Sequence, residues 1–244
     1  MQDLPPAVEV VNADGASSIV LTCEHASNFI PQSYNELGLP QHELTRHIAW
    51  DIGAADVARR LSELIDAPLF LSGYSRLLID CNRPLGSPTS IPVLSESTAI
   101  PGNAGLTPEE CDRRAADFYW PIQNAVSAHL DRRKLAGRAA IVLGIHSFTP
   151  VFKGFVRPWH AGILFRRSVE FGNRLVTALQ EPGLVVAANE PYTIDDESDY
   201  TVPVHGEARG LDAALVEIRQ DLIADARGAE DWAHRLKGAI LAIS

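Results

Sequence analysis

Four short polar clusters each close an apolar, strand-like run: Cys23-Glu24-His25, Arg76 with Asn82-Arg83, His146-Ser147, and Glu217-Ile218-Arg219. Runs of four to seven apolar, often β-branched residues are too short for buried helices and read as buried strands. On this basis strands are predicted over residues 18–23, 68–72, 77–80, 139–145, 163–165, 184–188 and 214–218. Between them, apolar residues at helical spacing predict helices over 44–64, 167–179 and 231–243. A further helix runs from Thr107, an N-cap followed by Pro108 and two acids, to about Leu135, with a bend at Pro121.

Strands alternating with helices predict an α/β fold whose mixed or parallel sheet is covered on both faces, with ligands outside the carboxyl ends of the strands. A length of 244 residues fits one such domain over 1–244. Between residues 83 and 108 the sequence carries Pro84, Gly86, Pro88, Pro92, Pro101, Gly102 and Gly105, which excludes a regular helix or central strand. A loop of that length is a candidate lid or substrate wall.

Composition narrows the partners. A net charge of −10 and the lack of any basic stripe argue against nucleic acid. Arg132-Arg133-Lys134 reads as a solvated helix end, where cations complement the macrodipole. The opening Met1-Gln2-Asp3-Leu4-Pro5-Pro6 has no basic segment before an apolar one, so neither a secretory signal nor a membrane anchor is expected, and a cytoplasmic protein is. Cys23, Cys81 and Cys111 form no C-x-x-C pair and are expected as free thiols. No glycine-rich dinucleotide loop or phosphate loop follows a strand, so nucleotide cofactors are not expected.

The clusters suggest metal-assisted hydrolysis. Catalytic zinc takes three protein ligands and keeps one position open, and His with a carboxylate is a common set. His25 and His146 supply the imidazoles, and Glu24, Asn28 and Asp51 are the candidate oxygen donors. Asp51 could equally hold a histidine through its far nitrogen. Arg76, Asn82 and Arg83 offer donors that match a carboxylate, although for this string alone pairing of Arg76 with Asp80 is the favoured reading. Glu217 could serve as a general base, against the simpler alternative of a surface pair with Arg219. Ser147 adjoins His146 without a nucleophile-elbow motif and is grouped with the substrate-binding residues.

Taken in order, these motifs resemble the N-formylglutamate amidohydrolase family. The resemblance rests on Glu24-His25-Ala26-Ser27-Asn28 with Pro31, on Ser75-Arg76 through Asp80, Asn82, Arg83 and Pro84, and on His146-Ser147-Phe148-Thr149-Pro150. It continues in Arg157-Pro158-Trp159-His160-Ala161-Gly162, Asn189-Glu190-Pro191-Tyr192, His205-Gly206 and Glu217 through Leu222. It implies a relation to the zinc carboxypeptidase and aspartoacylase group, and a three-layer phosphorylase/hydrolase-like fold with a central mixed β-sheet flanked by helices.

Carried over by position, the resemblance makes His25 and His146 zinc ligands, Arg76, Asn82 and Arg83 substrate binders, and Glu217 the base. Asn28 stands where that group has a glutamate ligand, which leaves Glu24, Asn28 and Asp51 open as the third ligand. Gln123 stands where a histidine is expected. The implied reaction is zinc-dependent hydrolysis of a small N-acyl acidic amino acid, N-formyl-L-glutamate first, with Arg76 stabilising the oxyanion. Its rivals are another N-acyl amino acid or small peptide as substrate, and a scaffold that binds an acidic metabolite without turnover.

Overall fold

The computed structural model describes residues 4–243, so the reading of Met1, Gln2 and Asp3 lies outside the described residues. Its centre is a seven-stranded mixed sheet in the order β1-β3-β2-β6-β11-β9-β10. The strands are β1 (Val8–Val11), β2 (Ile19–Cys23), β3 (Leu69–Ser72), β6 (Ile141–Phe148), β9 (Ala161–Leu164), β10 (Val186–Ala188) and β11 (Asp212–Arg219). β3, β2, β6 and β11 run parallel, whereas β1 on β3 and β9 on β11 are antiparallel. The expected mixed sheet flanked by helices is the architecture found.

Side chains that alternate along each strand build two cores. Ile19, Leu21 and Cys23 of β2, Leu143 and Ile145 of β6, and Ala214, Val216 and Ile218 of β11 face one layer. That layer consists of α1 (Ala54–Ile65), α4 (Val169–Leu179) and α5 (Ala226–Ile243). Val20, Val142, Ala213 and Leu215 face the other. There α2 (Pro108–Arg114) and α3 (Trp120–Leu135) are joined by a π-helical turn, Ala115–Tyr119, immediately before Pro121. Burial on both faces explains why the central strands read as continuous apolar runs.

Two predicted elements differ. Residues 77–80 form a buried turn rather than a strand: Leu78 N–H bonds the Ser75 carbonyl and Leu77 N–H bonds Ser75 Oγ. Leu77, Leu78 and Ile79 are apolar because they fill the second core, not because they join a ladder. The helix predicted from 44 begins only at Ala54, after a short 3-10 turn at Glu43–Thr45. Its start is set by Gly53, whose φ is +79° and whose missing Cβ would lie 2.1 Å from the Ile223 carbonyl oxygen.

The 83–108 segment is largely irregular, as expected, but carries a small hairpin of β4 (Leu94–Ser95) and β5 (Thr98–Ala99). A second hairpin, β7 (Val151–Phe152) with β8 (Phe155–Val156), follows β6. Arg114, almost fully buried, pins the long segment with hydrogen bonds to the Leu78 and Gly102 carbonyls and to Asn103 Oδ1, while Asn103 Nδ2 donates to the Leu77 and Pro92 carbonyls.

Candidate metal centre and cavity

The site forms where the polar ends of β2, β6 and β11 project past the second core. β6 and β11 are in parallel register with His146 beside Glu217. Both follow the Val142 and Leu215 side of their strands at even spacing, so the sheet's period of two aims them at the same face. Gly144, two residues before His146, has no room for a side chain: a Cβ there would meet Leu215 Cδ2 at 2.4 Å. β2 ends at Cys23, and the turn after it releases Glu24 and His25 from strict alternation. Asp51 N–H bonds the His25 carbonyl at 3.0 Å, which brings the loop before α1 against the same point.

His25, Asp51 and His146 meet there, all buried. Asp51 Oδ2 lies 3.2 Å from His25 Nδ1 and 2.9 Å from His146 Nδ1, and the two Nδ1 atoms are 3.2 Å apart. Two imidazole nitrogens and one carboxylate oxygen converging in this way match the donor set of a catalytic zinc. Zinc bonds of about 2.0–2.1 Å would require neighbouring donors roughly this far apart. The outward nitrogens are also held: His25 Nε2 is 2.7 Å from Asp80 Oδ1, and His146 Nε2 is 2.9 Å from Glu24 Oε2. The hydrogen bond to Asp80 fixes the tautomer of His25 and raises its basicity as a ligand, while Glu24 lies within ion-pair distance of His146. The residues therefore fit a divalent cation.

Electrostatics agree with the geometry. Burial raises the Asp51 carboxyl, but His25 and His146 outweigh it and hold Asp51 ionised. Glu24 is likewise penalised by burial yet drawn down to about 2 by His146 and the Thr201 and Thr22 hydroxyls. His146 is raised well above the ordinary histidine range, because Asp51 and Glu24 overcome its burial. Glu217 behaves oppositely. Burial dominates, with Asp51 adding to it against His146, and lifts its carboxyl to about 7.

The remaining candidates are placed as follows. Arg76 pairs with Asp80 through Nε and Nη2, at 3.0 and 2.7 Å, and reaches Asp51 Oδ1 at 3.3 Å. The pairing favoured for the isolated string is therefore present, within the site wall. Ser147 N–H donates to Asp51 Oδ2 and its Oγ to the Ile52 carbonyl, so it positions the Asp51 segment. Asn82 Oδ1 accepts from Tyr200 and Thr201 N–H, and its Nδ2 donates to Asp199. Arg83 lines the cavity and forms no ion pair among the described residues; its Nη1 donates to the Asn82 carbonyl.

Two candidate ligands are not brought to the metal group. Asn28 is not among the residues that line the cavity, and its Nδ2 donates to the Leu44 carbonyl at 2.9 Å. Glu24 stands one layer behind, accepting from Thr201 Oγ1 at 2.5 Å and facing the outer nitrogen of His146. Gln123 bridges the Cys81 carbonyl and His205 Nε2 in the buried interior. The three cysteines are free.

Sequence reasoning missed the part of Asp80 behind His25, and missed Thr201 and Tyr192. Asp80 had a signal in its spacing from Arg76, but was read only as that residue's partner. Thr201 lies 177 residues from Glu24 and has no local signal. The convergent residues line a cavity of about 730 Å³, within the size range of small-molecule sites. Glu217 Oε2 is buried in it without a hydrogen-bond partner among the described residues.

The family model described as N-formylglutamate amidohydrolase matches residues 17–224. Among solved structures, the gene product Atu2144 of Agrobacterium tumefaciens is 40% identical with a TM-score of 0.94, over 98% of this chain and 95% of that one. N-formylglutamate amidohydrolase from Ralstonia eutropha JMP134 shares the fold at 17% identity and a TM-score of 0.67, over 97% of this chain and 96% of that one. A search of curated protein sequences returned no match.

Proposed function

Because the chain belongs to the N-formylglutamate amidohydrolase family, we propose that it hydrolyses the amide bond of a small N-acyl amino acid, with zinc held by His25, Asp51 and His146. The observation that carries this reading is a buried, unpartnered carboxylate oxygen, Glu217 Oε2, in the cavity that the three donors share. A divalent cation there would supply Lewis acidity, polarising the acyl carbonyl and making water easier to deprotonate.

The protein's own groups do the rest. Glu217, raised to about 7, is poised to take a proton from the attacking water at neutral pH and deliver it to the leaving nitrogen. Water adds its hydroxyl to the acyl carbon, the C–N bond breaks, and the amine departs with the proton. Arg76, oriented by Asp80 and Asp51, stabilises charge developing on the acyl oxygen. Arg83 forks a substrate carboxylate. Asn82 and Ser147 act by holding backbone: Asn82 the 199–201 turn, Ser147 the Asp51 loop.

Residues 1–244 form one domain in this reading, and its reaction takes place in the cytoplasm. No described helix is long and apolar enough to cross a membrane.

N-formyl-L-glutamate is the reference substrate. Formate release by metal-stripped protein, with and without added zinc, tests the proposal, and Glu217→Gln is the control. Turnover that requires zinc and is lost in the variant is expected. Equal turnover with and without zinc in fully stripped protein would overturn it.

A further inference from the structure

The π-helical turn Thr201–Gly206 takes no direct part in the chemistry derived above, and Thr201 does not line the cavity. The turn is nevertheless seated against the strand that carries Glu217: Gly206 packs so closely on β11 that a Cβ there would meet the Ala213 Cβ at 2.2 Å. A helical turn begins with N–H groups that its own carbonyls cannot satisfy. The N-cap residue, Tyr200, makes no side-chain bond that would meet this need. Asn82 meets it from another part of the chain, its Oδ1 accepting from Tyr200 N–H and Thr201 N–H at 3.2 and 3.0 Å.

From that position the Thr201 hydroxyl donates to Glu24 Oε1, and the other oxygen of the same carboxylate, Oε2, stands 2.9 Å from His146 Nε2. Neither Glu24 Oε2 nor His146 Nε2 has a hydrogen bond elsewhere among the described residues. How well the two meet therefore depends on how the carboxylate is turned, which the bond from Thr201 sets. Asn82 reaches the other imidazole through its own backbone. Its N–H donates to Asp80 Oδ1 at 2.9 Å, and the same oxygen lies 2.7 Å from His25 Nε2. The two carboxylates behind the metal donors are thus tied to each other through Asn82 and Thr201, and Asp51 Oδ2 closes the circuit between the two Nδ1 atoms. Thr201, Glu24, Asn82 and Asp80 are all buried. In such a setting a carboxylate oxygen that loses its donor is left unsatisfied.

We propose that Thr201 is a positioning residue of the metal centre: its hydroxyl sets the angle of the Glu24 carboxylate against His146, and Asn82 registers it to the Asp80 that holds His25. The proposal rests on the zinc centre assigned above and adds to it a residue that acts only through others. Its effect belongs to the metal's affinity and coordination, not to contact with the substrate.

The test is the zinc affinity of wild type and variants by chelator competition, with the absorption spectrum of the cobalt-loaded protein as a second readout. Thr201→Val keeps the volume and removes the hydroxyl. It is expected to weaken zinc by about 10-fold, the lower end of the range for partners of a metal-bound histidine, and to shift the cobalt bands. Thr201→Ser, which keeps the hydroxyl, should bind zinc within about 2-fold of wild type, the size of effect expected when the interaction survives. In a Glu24→Gln background the valine change should weaken zinc by no more than about a further 2-fold, because the two residues act in one chain. A general loss of packing would weaken zinc equally in both backgrounds and would not be rescued by serine. If Thr201→Val fails to fold, Thr201→Ala read against Thr201→Ser makes the same comparison. Unchanged zinc affinity and cobalt spectrum on loss of the hydroxyl, or full additivity with Glu24→Gln, would overturn the proposal and leave the hydrolase reading standing, since formate release is scored separately. A wild type that takes up neither zinc nor cobalt would overturn both.

Discussion

The two faces of the sheet are built from the same strands and used differently. Toward α1, α4 and α5, the side chains of β2, β6 and β11 are apolar from Ile19 to Cys23, Leu143 to Ile145 and Ala214 to Ile218, and the helices close over them. Toward α2 and α3, the alternation is apolar only as far as Val142 and Leu215, and then changes to His146 and Glu217. There the helices give way to irregular segments, which can bring Asp51, Asp80 and Arg83 in from separate parts of the chain. One face is a packing surface as far as Ser147; the other is a packing surface that turns into a site.

That contrast can be broken most strongly at Glu217. Glu217→Gln is expected to lower turnover by about 10²–10⁴-fold while bound zinc, measured by elemental analysis, stays stoichiometric. Loss of zinc as well would mean that Glu217 belongs to the metal group rather than acting beside it.

On the closed face, Leu61→Ala is expected to cost about 2–5 kcal/mol in urea unfolding, because Leu61 is fully buried between helix and sheet. The zinc affinity of the folded fraction should be unchanged. A parallel loss of affinity would show that the two faces are not independent.

Glu217 also predicts a pH dependence in metal-stripped protein. Its carboxyl is raised from an ordinary 4.5 to about 7, so the folded state holds the proton more tightly than the unfolded chain. Its contribution is fully present below about 4.5 and is lost as pH rises through about 7. The loss is up to about 3 kcal/mol, at roughly 1.4 kcal/mol per pH unit of displacement. Subtracting the Glu217→Gln stability curve from that of the wild type should isolate this falling limb, and a flat difference would refute it.

Smaller effects come from the carboxylates behind the imidazoles. Asp80→Asn and Glu24→Gln should each weaken zinc by about 10–100-fold in chelator competition. Leu135→Ala, at an exposed helix end, should change stability by no more than about 0.5 kcal/mol.

The same contrast explains what could be read from the sequence. His146 and Glu217 were legible because a strand's period of two carries information to its end, and an apolar run that turns polar marks a site. Asp51 stayed one of three choices because the apolar spacing of Leu44, Ile48 and Ile52 imitates a continuous helix. In the fold these residues lie in turns, where Leu44 packs into the second core and Ile48 lines the cavity. Asp80 was misplaced for a related reason: Leu77-Leu78-Ile79 has strand composition, yet each residue is buried by the core rather than by pairing. Asn28 has a ligand's spacing from His25, but spacing alone cannot tell that its amide is taken by the Leu44 carbonyl. Contacts such as Thr201 to Glu24 join distant segments and leave no local trace.

Arg114 carries a consequence for timing. One enclosed guanidinium ties the carbonyls of Leu78 and Gly102 and the side chain of Asn103 together, and so fastens the segment that forms a wall of the cavity. That clasp reaches the cavity lining through Asn103, whose amide also donates to the Pro92 carbonyl, and so ties the position of the wall to the helix that carries Arg114. Without it, the same segment would open and close on the slower clock of loop motion, and turnover would be paced by the wall instead of by the chemistry behind it.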